Sequence, residues 1–144
     1  MSDSALQAKG NAIYAETATD LSAAIGKLVT FAAGAPSVNA STTIPAVGIV
    51  LDSRKRQALT GGVTYYDNAI GILGALPGPV RAVISSSSAA LNFGDTLQQA
   101  ADGTLTTDLG TGNARVVVAV MSDLNGANPG DECEVTIFTP QIRS

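Results

Sequence analysis

Histidine and tryptophan are absent from this chain, and cysteine occurs once, at Cys133. Without histidine there is no imidazole to serve as a general base, to complete a Ser-His-Asp or Cys-His relay, or to ligate a metal. A single cysteine permits neither an intrachain disulfide nor a thiolate metal site. Charge is also scarce: 14% of residues are charged, where about a quarter is usual for a globular domain. Alanine, serine, threonine and glycine fill the difference, and so bland a surface suits lasting contact with other protein.

The eight Lys/Arg residues stand against twelve Asp/Glu, a net charge of −4. Wrapping nucleic acid needs several basic groups to displace counterions from phosphates, and the one basic cluster is Arg54-Lys55-Arg56. Nucleic acid is therefore not an expected partner. That cluster reads as a solvated loop, with contact to a partner's phosphate or carboxylate as its functional alternative. No apolar run approaches the roughly 18 residues of a membrane helix, and the start, Met1-Ser2-Asp3-Ser4-Ala5-Leu6, lacks the basic and apolar regions of a signal peptide. The expectation is a soluble protein made in the cytoplasm, without a membrane partner.

What is present is a series of short apolar or alternating runs separated by glycine-containing turns, the pattern of strands and tight reversals. The clearest lies in 93–140. Asp102-Gly103 between Thr/Leu runs signals a two-residue hairpin turn. Val116 to Met121 is apolar on both faces, as in a central strand covered on each side. In Glu132-Cys133-Glu134-Val135-Thr136-Ile137, Cys133, Val135 and Ile137 share one face, which makes the thiol a small buried hydrophobe.

Earlier in the chain, 27–31, 44–51, 63–66 and 80–84 read as strands. Val47, Ile49 and Leu51 are expected on one face. The segment 70–76 is apolar but holds two glycines before Pro77-Gly78-Pro79, so it reads as a twisted strand or bulged edge. The segments 34–43 and 85–88 read as loops, 52–57 as a charged turn, and Asp67-Asn68 as the end of a strand. Asp20 is an N-cap candidate for a short helix ending at Gly26, and a helical turn is expected near 88–91.

Residues 1 to about 20 show no sustained helical stripe. They read as a frayed terminus or as an arm that orders only against a partner. The fold class is mainly β: a small antiparallel barrel-like or sandwich-like single domain over 25–144, an extended N-terminal arm over 1–24, and at most one or two short helices.

No GxGxxG, Walker or GxSxG pattern occurs. Gly94-Asp95 and Gly130-Asp131 sit at loop-to-strand junctions, where Asp hydrogen-bonds nearby backbone N–H groups, so both read as turn residues. The 123–128 loop lacks the acidic spacing of an EF-hand. Lys55, the sole candidate for a carrier lysine at a hairpin tip, is flanked by two arginines. A glycosidase-like carboxylate pair would need two acids facing one cleft, and the clearest acids read as turn residues. No active site, cofactor or metal is expected.

The series Gly26-Lys27-Leu28-Val29, Val47-Gly48-Ile49-Val50, Gly94-Asp95-Thr96-Leu97, Gly103, Val118-Ala119-Val120-Met121 and Gly130-Asp131-Glu132-Cys133-Glu134-Val135 resembles the tailed-bacteriophage capsid decoration (cement) proteins. That family repeats G-x-L-V, p-x-G-V, G-D-x-L, V-x-A-L and G-D-x-V-x-V stations in this order. The likeness spans residues 26 to 140, and 58–88 departs from it in being richer in glycine and proline. It implies a non-enzymatic virion protein on the outer surface of the expanded capsid, clamping neighbouring major capsid subunits, with a homotrimer as the favoured oligomer. On that reading Leu6, Ile13, Tyr14 and Leu21 are the residues an arm would press onto the capsid. A head-fibre or tail-associated module is the alternative.

Overall fold

The computed structural model describes residues 12–56, 62 and 64–144. Among the described residues, ten strands form two five-stranded antiparallel sheets, the mainly β architecture expected from the pattern. The first sheet contains β1 (Ala12–Thr17), β2 (Leu28–Ala32), β3 (Ala35–Val38), β4 (Gly48–Arg56) and β5 (Tyr65–Ile72), in the order β1-β5-β4-β2-β3. The second contains β6 (Val80–Val83), β7 (Thr96–Gln99), β8 (Leu105–Thr107), β9 (Arg115–Met121) and β10 (Glu132–Arg143), in the order β6-β10-β9-β7-β8. The second sheet curls on itself: Ile84, just past β6, bridges Leu105 of β8 in parallel, so its two edges meet.

The main core lies between the sheets. Leu28, Ile49 and Leu51 face Val80, Leu97, Leu105, Met121, Cys133 and Val135 there. A second, smaller core covers the other face of the first sheet, where Val29, Val50 and Ile70 pack under Leu21 and Ala24. Full burial of one such Val, Leu or Ile side chain stabilises the fold by about 1.5–3 kcal/mol. β4 therefore feeds two cores, with Ile49 and Leu51 on one side and Val50 on the other. Val47 does not join them: it precedes the strand and is 45% exposed.

The backbone joins the sheets at Gly26-Lys27-Leu28. Val83 N–H donates to the Gly26 carbonyl at 3.1 Å, and Leu28 N–H donates to the Gly103 carbonyl at 2.7 Å. At Gly103 φ is +79°, and a Cβ would lie 2.7 Å from Val38 Cγ1. Only glycine fits where the β7–β8 hairpin presses on the first sheet.

Several boundaries differ from the sequence reading. The expected loop at 34–43 contains β3, which pairs with β2 through a tight Ala33-Gly34 turn with both φ values positive. Pro36 is tolerated because β3 is an edge strand. The charged turn at 52–57 is instead strand through Arg56, since β4 and β5 pair as far as Arg56↔Tyr65. Asp67-Asn68 lies inside β5 rather than ending it. The expected short helix is a single 3-10 turn, Ser22–Ala24, and Asp20 accepts from Ser22 N–H at 2.9 Å without capping a longer helix. No helical turn forms at 88–91, where Leu91 bridges Ala127. The β7–β8 turn is one residue longer than expected, closing with Ala100 N–H donating to the Thr104 carbonyl at 2.9 Å.

β9 and β10 match their patterns. Residues 115–119 of β9 are all buried, and Cys133, Val135 and Ile137 point inward from β10.

Candidate interaction surface

The arm expected over 1–24 is built into the domain from residue 12 onward. β1 pairs with β5 from Ala12↔Gly71 to Thr17↔Tyr66. Ile, Tyr and Thr favour the pleated conformation, and β5 offers an open edge beside β4. Ile13 and Tyr14 are 42% and 57% exposed. Leu21 is not on the surface: it is 4% exposed and closes the smaller core, because the chain reverses after β1 and returns across the sheet. Leu6 lies outside the described residues.

β1, β5 and β4 carry a set of cross-strand rows at their outer end. Ala15, Asn68 and Ser53 form one row, Glu16, Asp67 and Arg54 the next, and Thr17, Tyr66 and Lys55 the third. Arg56 pairs with Glu16 and, at 3.4 Å, with Asp67. These groups are about half exposed, and such pairs contribute under about 1 kcal/mol each. The rows set the register of β1 more than they hold it down.

The firm hold is Asn68, which is fully buried. Its Nδ2 donates to the Thr19 carbonyl at 3.1 Å and to Thr17 Oγ1 at 3.3 Å, while its Oδ1 accepts from Ser53 Oγ at 2.6 Å. Ser53 Oγ in turn accepts from Leu21 N–H at 3.2 Å. One amide thus fixes the place where the chain leaves β1. Sequence reasoning missed it by treating Asp67-Asn68 as a terminator. The available signal was the apolar run that continues directly after Asn68, with no glycine or proline between.

The acids singled out in the sequence are occupied in turns. Asp95 accepts from Asn92 N–H at 2.8 Å, and Asp131 accepts from Asn128 N–H at 2.9 Å. The residues before these twin turns, Leu91 and Ala127, exchange backbone hydrogen bonds. The turn reading of both Asp residues holds. The Thr104 hydroxyl holds the Asp102 carboxyl below the usual range, and hydrogen bonds from Ser22 do the same for Asp20.

Burial pushes the Cys133 thiol up to about 11, with the Asp123 and Asp131 charges adding to the shift. Its side chain packs in the main core. Among the described residues no three His, Cys, Asp or Glu side chains converge to hold a metal.

Of the other exposed large apolar residues, Ile44 and Val47 share the segment before β4, Phe93, Leu109 and Leu124 lie on separate loops, and Ile142 is near the end of β10. Ile13 and Tyr14 stand out because they are consecutive on one edge strand, opposite Ile70 and Ala69 of the neighbouring β5. No family model, curated protein or solved structure matches the chain.

Proposed function

We propose that this chain is a non-enzymatic decoration protein of a tailed-phage capsid, binding the outside of the expanded shell and clamping neighbouring major capsid subunits. The observation that carries the reading is a contrast within one fold. The two-sheet body is knit together by two cores and by backbone bonds at Gly26 and Leu28, whereas edge strand β1 leaves Ile13 and Tyr14 open to a partner.

The motif series supports the same reading. Its stations coincide with the backbone junction at 26–29, the start of β4, the turn into β7, the close approach at Gly103, the central strand β9 and the turn into β10. Each station is thus a residue set that builds the body, and the partner-facing residues lie outside the series. Ile13 and Tyr14 form the described part of the contact set, and buried Leu21 leaves it.

The clamp works by mass action. A ligand that binds only the assembled, expanded shell stabilises it by its binding free energy, summed over many sites. The oligomer favoured for this role is a homotrimer.

The test is to add the purified chain to shells that lack it, before and after expansion, and to measure co-sedimentation. Saturable binding to expanded shells alone, with a raised shell disruption temperature, is the expected result. Equal binding to both forms, or to neither, contradicts the reading.

A further inference from the structure

We propose that β1 is an exchangeable strand: in an oligomer of this chain, β1 of one copy leaves its own β5 and seats on β5 of a second copy in the same register. The inference rests on the placement of β1 and not on the capsid reading above.

Three observations carry it. First, β1 is the only one of the ten strands with no fully buried residue. Its attachment is backbone pairing to β5, exposed ion pairs, the partial burial of Ala12 and the Asn68 amide, which donates to Thr17 Oγ1 in the strand and to the Thr19 carbonyl in the hinge. Second, the chain just beyond it is anchored firmly, with Leu21 and Ala24 in the smaller core. A weak strand therefore meets a firm anchor across residues 18–20. Third, the chain reverses direction there at the outer end of the sheet, with Thr19 N–H donating to Thr17 Oγ1 at 3.2 Å inside the bend.

The occupant of the β5 edge is specified by the structure itself. The register from Ala12↔Gly71 to Thr17↔Tyr66 is satisfied by this sequence, and a second copy carries the same sequence. Exchange reproduces every β1–β5 contact, so the closed and exchanged forms differ in the hinge and in the entropy of association. Short hinges favour exchange. Three residues reach at most about 10 Å when extended, so straightening 18–20 directs β1 away from its own sheet. The exchanged strand would set Ile13 and Tyr14 at the junction of two copies.

The test uses disulfide trapping in the full chain. Glu16 and Asp67 face each other across β1 and β5, and Cys133 is buried and does not compete. Glu16→Cys and Asp67→Cys are made as separate chains, refolded together, concentrated and oxidised. The expected product is a covalent mixed dimer, one Glu16→Cys chain joined to one Asp67→Cys chain, identified by mass spectrometry of the linked peptides. The double variant in one chain, oxidised when dilute, should lock the closed form and lose the oligomer in light scattering.

The inference is overturned if the double variant forms its internal bond while the mixed dimer is absent, or if the native chain stays monomeric at every concentration. A second variant guards against damage from cysteine. A Gly-Ser-Gly-Ser insertion between Ala18 and Thr19 should shift the population toward monomer, and an unchanged oligomer also overturns the inference.

Discussion

Gln99 lies in β7 of the second sheet and Ala46 just before β4 of the first, and the Gln99 side chain joins the two. Its Oε1 accepts from Ala46 N–H at 2.7 Å, while its Nε2 donates to the Ile44 carbonyl at 3.0 Å and the Ser41 carbonyl at 3.2 Å. Gln99 is fully buried, so a single amide does the work that a neighbouring strand would otherwise do for the 41–46 segment. Gln99→Ala leaves a buried donor and two acceptors without their partner. We expect a loss of about 3 kcal/mol, or a fall of roughly 10 °C in Tm, for a chain of this size. Thermal unfolding checks the magnitude, and faster amide exchange at Ala46 checks the cause.

Arg115 and Asp108 form the most enclosed ion pair among the described residues, with side-chain exposures of 6% and 16%. Arg115 also donates to the Asn113 carbonyl at 3.0 Å, and Asp108 accepts from Gly110 N–H at 2.9 Å. Arg115→Ala strands a largely buried carboxylate and should cost about 3 kcal/mol. Asp108→Asn keeps an acceptor for both partners and should cost less. Urea unfolding midpoints of the two variants check the order.

Cys133 gives the fold an alkaline signature. Its thiol titrates near 9.0 when unfolded and is pushed up to about 11 when folded, so between those values the folded state holds the proton more tightly. Its contribution to stability is complete below pH 9 and is lost as pH rises through 11. Cys133→Ala should flatten this part of the stability profile, measured by urea unfolding from pH 8 to 11. The folded thiol should also resist alkylation at pH 8 and react once unfolded.

Ile13 and Tyr14 separate binding from folding. Because both are exposed on a strand that buries no side chain, Ile13→Ser with Tyr14→Ser should change stability by no more than about 1 kcal/mol. On the proposed function the same double variant loses most of its binding to expanded shells. Unfolding curves and co-sedimentation check the two halves separately.

The sequence was most legible where one local pattern matched one environment. Val116 to Met121 was apolar on both faces and became the enclosed strand β9. The Cys133, Val135 and Ile137 alternation became the inward face of β10. It was least legible where a distant partner overrode local chemistry. Pro36 argued for a loop, yet an edge position accommodates it. Arg54-Lys55-Arg56 argued for a solvated turn, yet Tyr65, Tyr66 and Asp67 pair with it. Asn68 and Gln99 are polar residues whose burial depends on groups about fifty positions away, and periodicity carries no signal for such contacts. The described part of the expected arm, 12–24, was misread for a related reason. An edge strand is decided by the neighbour that accepts it, and Leu21 is buried by a reversal that no local motif announces.

The central claim is that many copies of this chain cover a phage shell. Its most direct test is the copy number relative to the major shell protein in purified source particles, by quantitative mass spectrometry with labelled peptide standards. The account predicts a ratio of the order of one chain per shell subunit, as surface-covering multivalent binding requires. A few copies per particle would point to a fibre or tail part, and absence from particles would contradict the account outright.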